Sequence, residues 1–95
     1  MVDTKKAKVL LVEDEKMLAD MYATKFSMEG YGIVNAYDGK EGLETAKREK
    51  PDIILLDIIM PKLDGFAVLK ELRADEATKK IPVVLLTNLG QESDV

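Results

Sequence analysis

Two uninterrupted runs of four large apolar residues limit what this chain can fold into. They are Val9–Val12 and Ile53–Leu56. A strand with one face in water alternates apolar and polar residues, and these runs do not alternate. Each run therefore predicts a strand that is buried on both faces, which is typical of a parallel sheet covered by helices.

The segments between and beyond these runs predict an alternating arrangement of strands and helices. Gly32–Ala36 and Pro82–Leu86 predict two further strands, with Asp38-Gly39 as a turn after the first of them. Elsewhere apolar residues recur every three or four positions, which predicts helices over 15–28, 40–49 and from an Asp64 N-cap to about residue 74. The order β-α-β-α-β-α-β favours right-handed crossovers in one α/β domain. The predicted buried helix positions are Leu18, Met21, Tyr22, Phe26, Leu43, Ala46, Phe66, Leu69 and Leu72.

Composition excludes several kinds of chemistry. The net charge of −4 argues against direct binding of nucleic acid, which normally needs a basic surface. The chain has no cysteine and no histidine, so thiol nucleophiles, disulfides and histidine general bases are excluded. No apolar run approaches the length of a membrane span, and the N-terminus does not resemble a signal peptide. We therefore expect a cytoplasmic protein whose chemistry comes from carboxylates, hydroxyls, lysine or backbone groups.

Polar side chains follow three of the predicted strands where each strand ends. Glu13 and Asp14 follow the first strand, Asp57 the third and Thr87 the fourth. In open parallel sheets, ligands bind beyond the carboxyl ends of the strands. The sequence thus predicts three carboxylates and one hydroxyl at a single edge of the sheet.

Each of these residues also has an ordinary structural explanation. Asp14 alone would be a helix cap, and Thr87 alone an ordinary strand-end threonine. Asp57 is harder to explain in this way, because it follows four apolar residues and is expected to be partly buried. Converging carboxylates repel each other unless a cation lies among them, and Mg²⁺ suits such a site best.

Carboxylates, Mg²⁺ and a hydroxyl without histidine or cysteine point to phosphoryl chemistry. Asp57 is the best candidate nucleophile and would form an aspartyl phosphate. Asp14 would be a direct metal ligand, Glu13 would act through water, and the backbone carbonyl of Ile59 would supply another oxygen. Thr87 would donate its hydroxyl to a phosphoryl oxygen, and Mn²⁺ is an alternative ion.

The sequence resembles the receiver domain of two-component response regulators. The matching pieces lie in the family's order and spacing over nearly the whole chain. They are the acidic pair in Leu10–Glu15, then Pro51–Asp57, then Met60–Gly65 with its Met-Pro and Asp-Gly pairs, and finally Val84–Thr87. A set of this kind is far more specific than any single motif.

The resemblance implies a flavodoxin-like three-layer α/β/α fold with strand order 2-1-3-4-5. It also implies Mg²⁺-dependent transfer of a phosphoryl group to Asp57 from the phosphohistidine of a sensor histidine kinase or phosphotransfer protein. Such a domain catalyses its own phosphorylation and dephosphorylation and does not turn over a separate substrate. In the family, the residue matched by Thr87 reorients and reshapes a docking surface.

The chain departs from the family at its C-terminal end. Receivers normally continue through a fourth helix, a fifth strand and a fifth helix, and the lysine that ends the fifth strand has no counterpart here. We therefore expect residues 1–95 to form a single, C-terminally incomplete receiver domain with strand order 2-1-3-4. The fourth strand would then be an edge, which predicts a homodimer or larger assembly with pairing along that strand as one route.

Other interpretations remain open. A pseudo-receiver that only binds a partner would leave Asp57 unphosphorylated. A haloacid-dehalogenase-type phosphatase would need an aspartate where Ile59 stands, and a plain α/β domain would leave the converging carboxylates unexplained. If the receiver interpretation holds, bulky Ile59 and Leu89 predict slow hydrolysis of the phosphorylated aspartate.

Overall fold

The predicted alternation of strands and helices is observed with small changes at the element ends. The computed structural model describes residues 7–58 and 65–86. Within these ranges the elements are β1 (Lys8–Val12), α1 (Lys16–Met28), β2 (Gly32–Ala36), α2 (Gly39–Glu49), β3 (Ile53–Asp57), α3 (Gly65–Ala74) and β4 (Val83–Leu86).

The four strands form one parallel sheet in the order β2-β1-β3-β4. β1 lies in the middle, so that Val9 pairs with Ile33 on one side and with Ile53 on the other. The strand order and the α/β class predicted from the sequence are confirmed. Since all strands are parallel, their carboxyl ends lie at one edge of the sheet.

Both faces of β1 and β3 are buried, as the unbroken apolar runs predicted. Leu10, Val12, Ile54 and Leu56 pack on one face in a cluster that also contains residues of α2 and α3. Val9, Leu11 and Leu55 point to the opposite face, where Ala19 of α1 packs against them. Full burial of each large side chain contributes about 1.5–3 kcal/mol, so these strands form the core of the fold.

Two of the helix residues that were predicted to face the core are exposed instead. Met21 is 55% exposed and Phe66 is 56% exposed, whereas Ala19 and Val68 are fully buried. In both helices a smaller residue occupies the closest approach to the sheet. The helical spacing correctly predicted the core-facing positions Tyr22, Phe26, Leu43, Ala46, Leu69 and Leu72, but not these two.

The start of α2 is fixed by a reciprocal pair of hydrogen bonds. Asp38 Oδ1 accepts a 2.8 Å bond from the Glu41 N–H, and Glu41 Oε1 accepts a 2.8 Å bond from the Tyr37 N–H. The arrangement is a variant of the capping box in which the glutamate accepts from the residue before the N-cap, and the Asp38 side chain satisfies a backbone donor that the first helical turn would otherwise leave unpaired. The predicted Asp38-Gly39 turn is therefore the N-cap and first residue of the helix.

The connection from α3 to β4 is held by side-chain hydrogen bonds. Thr78 is fully buried and its hydroxyl donates a 2.7 Å bond to the Leu72 carbonyl near the end of α3. Arg73 Nη1 donates 2.9 Å bonds to the carbonyls of Lys79 and Ile81. The connection between α3 and β4, which the sequence predicts only as polar, is thus held by these hydrogen bonds. They determine where β4 enters the sheet.

β4 pairs with β3 on one side, and no described residue pairs with its other side. Val84 in this strand is 44% exposed. The predicted homodimer through this strand is not tested by these observations and stays a prediction. Among the described residues, no helix is long and apolar enough to cross a membrane.

We expect Thr78→Val to lower the free energy of unfolding by about 1–3 kcal/mol, because the Leu72 carbonyl loses a buried donor. Chemical denaturation followed by circular dichroism measures the change. Ser27→Ala on the exposed side of α1 is the control and should stay within about 0.5 kcal/mol of the parent chain. Equal stability of the two variants would contradict the role given to Thr78.

Candidate functional site

Three carboxylates meet at the carboxyl edge of the sheet. Glu13 and Asp14 directly follow β1, and Asp57 is the last residue of β3. The two strands are neighbours, with Val12 paired to Leu56, so the residues that follow the two runs are brought side by side. One carboxylate oxygen from each of the three residues lies within 4.8 Å of the others.

The three carboxylates differ in their exposure to solvent. Glu13 is 2% exposed and Asp57 is 8% exposed, whereas Asp14 is half-buried. Glu13 Oε2 accepts a 3.0 Å hydrogen bond from the Glu15 N–H just before α1 begins. Because α1 has no side-chain cap at Glu15, Glu13 also stabilises the start of this helix.

Crowding of these acids changes the protonation of Glu13. The pKa of Glu13 is raised to about 7: burial is the largest cause, the Asp57 and Asp14 carboxylates add to it, and the hydrogen bond from the Glu15 N–H opposes it. Near neutral pH the Glu13 carboxyl group is therefore protonated in some molecules and charged in others. A cation among the three carboxylates would favour the charged form.

Two other predicted site residues, Ile59 and Thr87, lie outside the described residues, as do Asp64 and Leu89. The structure does describe the residues before them. Leu86 pairs with Asp57 in the sheet, and the Leu86 carbonyl accepts a 3.2 Å hydrogen bond from the Ile58 N–H. The ends of β3 and β4 are thus fixed to each other at the edge where the carboxylates lie.

Gly65, predicted from the sequence only as part of a loop, lies against the backbone of the site. A Cβ atom at Gly65 would lie 2.3 Å from the Ile58 Cα and 2.7 Å from the Asp57 carbonyl oxygen. The Gly65 N–H also donates a 3.2 Å hydrogen bond to the Ile58 carbonyl. The first turn of α3 is thus packed on the backbone of Asp57 and Ile58. The Asp-Gly pair was visible in the sequence, but the contact is long-range and has no sequence signal of its own.

Comparison with known proteins agrees with this geometry. The chain matches the family model of the response regulator receiver domain over residues 9–95. The chain belongs to the response regulator receiver domain family. The similarity that the motifs indicated is therefore confirmed over nearly the whole sequence.

Individual receiver proteins resemble this chain in sequence and in fold. A probable transcriptional regulator ycf27 of Guillardia theta is 45% identical over 94% of this chain, which spans 34% of that protein. The DNA-binding dual master transcriptional regulator RpaA of Synechocystis is 41% identical over 92% of this chain and 36% of its own length. The N-terminal domain of a response regulator receiver protein from Methanoculleus marisnigri has a TM-score of 0.83 and 38% identity, covering 85% of this chain and 66% of that one. The chain thus spans about a third of the curated relatives it matches.

The donor set at this edge fits a hard divalent cation. Receiver domains of this family bind Mg²⁺ through acidic residues, and Glu13, Asp14 and Asp57 form such a cluster in this chain. Mg²⁺ takes one or two carboxylates and keeps several waters, which suits a cluster with two buried members and one half-buried member.

We expect Gly65→Ala to weaken Mg²⁺ binding at least about tenfold, because the added methyl group must displace the backbone next to Asp57 by more than an ångström. Isothermal titration calorimetry measures the affinity. Gly30→Ala is the matched control: its positive φ of 96° makes it strained, but no atom lies within 4 Å of the added Cβ. Similar Mg²⁺ affinities in the two variants would contradict a positioning role for Gly65.

The raised pKa of Glu13 predicts a pH dependence. Since the folded value of about 7 exceeds the ordinary 4.5, the folded chain binds more protons than the unfolded chain between these values. Without Mg²⁺, stability is therefore expected to fall as the pH rises through this window. Mg²⁺ competes with the proton, so its apparent affinity should be about tenfold lower at about pH 6 than at about pH 8.

Thermal unfolding with and without Mg²⁺ across this range measures both effects. The chain has no histidine, so few other groups titrate there. Glu13→Gln cannot ionise at this position and should remove most of the pH dependence. A pH dependence that is unchanged in this variant would assign the titration to another group.

Proposed function

We propose that this chain is a working phosphoacceptor, in which Asp57 receives a phosphoryl group from the phosphohistidine of a sensor histidine kinase or phosphotransfer protein. The observation that carries the proposal is the position of Asp57, buried at the end of β3 with carboxylate oxygens of Glu13 and Asp14 within 4.8 Å. A carboxylate that only capped a turn would not need two acidic neighbours.

The transfer requires little from the protein beyond positioning. A carboxylate oxygen of Asp57 forms a bond to phosphorus as the bond between phosphorus and the donor imidazole nitrogen breaks. The imidazole leaves with the electron pair of that bond and takes up a proton. Because β3 is buried and paired on both sides, Asp57 has little freedom to move away from an approaching phosphoryl group.

The neighbouring residues have separate roles toward a divalent cation, Mg²⁺ or alternatively Mn²⁺. Asp14 and Asp57 would bind the ion directly, with the Ile59 carbonyl as a further ligand, and Glu13 would act through water. When bound, the ion would offset negative charge on the phosphoryl oxygens as the transfer proceeds. Glu13, whose Oε2 is held by the Glu15 N–H, would keep the acidic pair in one orientation.

Thr87 would donate its hydroxyl to a phosphoryl oxygen on Asp57 and would report the phosphorylated state to a docking surface. Supporting this role, Thr87 directly follows Leu86, the β4 residue that pairs with Asp57. A hydroxyl that binds only the phosphorylated form shifts the population of the protein toward the conformation in which that bond is made.

The partners of the whole protein follow from the same proposal. The expectation that nucleic acid is not a partner conflicts with the description of RpaA as DNA-binding. The acidic net charge of −4 still argues that these 95 residues do not contact DNA directly. In a longer protein built like RpaA, DNA contacts would come from the other two thirds. A cytoplasmic location and a C-terminally incomplete receiver domain over residues 1–95 stay predictions.

Phosphorylation is tested by intact mass spectrometry after incubation with Mg²⁺ and a small phosphodonor such as acetyl phosphate. We expect a gain of one phosphoryl group that depends on Mg²⁺, and its loss in Asp57→Asn. Asp52→Asn is the matched control, because Asp52 lies just before the opposite end of the same strand and is exposed. This control should be phosphorylated like the parent chain.

The same experiment separates the acceptor from a pseudo-receiver. A pseudo-receiver would gain no mass although it folds normally and binds Mg²⁺. That result would overturn the proposed transfer while leaving the metal site intact. A mass gain that persists in Asp57→Asn would instead assign the phosphoryl group to another residue.

A further inference from the structure

Helix α1 has apolar side chains on two opposite sides. Its inner side carries Ala19, Tyr22 and Phe26, which belong to the core cluster on that face of the sheet. Its outer side carries Met17, Met21 and Met28, which are 83%, 55% and 81% exposed. Surface helices normally present polar residues to water, whereas the outer side of α1 has an apolar surface that no described residue covers.

The other long helix of the domain shows the usual pattern. The exposed residues of α2 include Lys40, Glu41, Glu44, Lys47 and Arg48, and all five are charged. Methionine is a flexible apolar residue that adapts to a contacting surface, and exposed groups of it are typical of binding sites. The difference between the two helices indicates that the outer side of α1 contacts another molecule.

The spacing of this outer side matches one heptad repeat. Met17 and Thr24 occupy d positions, and Met21 and Met28 occupy a positions, so the four form a continuous seam. Asp20 at g and Lys25 at e lie on either side of it. These six residues, together with Glu29, line one shallow groove along the helix.

We propose that this seam is a contact surface for a second copy of this chain, with the two α1 helices side by side and parallel. In a parallel pair, a g residue of one helix faces the e residue five positions later in the other helix. Asp20 of each copy would then face Lys25 of the other copy, which gives two symmetric ion pairs. In an antiparallel pair centred on the same seam, g residues face g residues and e residues face e residues, so Asp20 would face Ser27 and Lys25 would face Leu18, and neither ion pair would form.

The seam is short, and this limits the strength of the association. α1 has 13 residues, which is fewer than two heptads. Thr24 places a hydroxyl in the middle of the seam, which weakens the apolar contact further. We therefore expect reversible pairing at high protein concentration that weakens with added salt, rather than a permanent dimer.

Cysteine crosslinking tests the arrangement directly, because the chain has no cysteine of its own. Met17→Cys and Met28→Cys replace exposed residues at the two ends of the seam. In the parallel pair, each variant should form disulfide-linked dimers with itself. A mixture of the two should form few mixed dimers, because the two positions are about 16 Å apart along the helix.

Glu44→Cys on the exposed side of α2 gives the rate of random crosslinking. Crosslinking of the α1 variants above this rate, with like positions preferred, supports the proposal. Crosslinking no faster than the control, or mainly between Met17→Cys and Met28→Cys, would overturn it.

Charge reversal tests the ion pairs independently by sedimentation equilibrium. Asp20→Lys should weaken dimerisation by about fivefold to tenfold, since two attractive pairs become repulsive. Combining Asp20→Lys with Lys25→Asp should restore it. Val84→Lys on β4 should have no effect. A dimer that is abolished by Val84→Lys and insensitive to Asp20→Lys would place the interface on the β4 edge, and a chain that stays monomeric would exclude self-association through α1.

Discussion

The parallel pairing of β1 with β3 is the interaction on which the rest of the structure depends. Both strands are apolar on both faces, and burying them against α1 on one side and α2 and α3 on the other makes the core. Their pairing also determines where the acidic residues lie, because the strands end together with Val12 beside Leu56. The same register that stabilises the fold therefore forces Glu13, Asp14 and Asp57 into one small volume.

That arrangement has an electrostatic cost, which identifies it as functional. At 4 Å, two like charges repel by about 4 kcal/mol at an effective dielectric of 20. The chain meets part of this cost by raising the pKa of Glu13 to about 7, so that this buried carboxyl holds a proton part of the time. A cation removes the cost more completely. The site is thus less favourable without its ligand than with it, which is the usual condition of a binding site built from buried charges.

The sequence predicted the sheet more accurately than the helix faces, and the physical reason differs in each case. Four consecutive apolar residues can be satisfied only by burial on both sides, so the two central strands could be predicted from their residues, whereas the strand order followed from the family resemblance. On a helix, an apolar residue at the margin of the core-facing side has the same spacing as one at its centre, and for this reason Met21 and Phe66 were assigned to the core although each is more than half exposed. The packing of Gly65 on Ile58 could not be predicted, because it depends on how closely the first turn of α3 approaches the end of β3.

Helix α1 lies between the acidic cluster and the contact surface proposed on its outer side. It begins at Lys16, two residues after Asp14, and the Glu15 N–H that precedes it is held by the Glu13 carboxylate. A cation among the carboxylates draws on the same Glu13 group that fixes the start of the helix. If a contact on the outer side of α1 changes the affinity of the carboxylates for a cation, the cation must change the affinity of that contact by the same factor. Any such coupling would pass through Glu13, because this residue belongs to the acidic cluster and also accepts the hydrogen bond from the N–H just before α1.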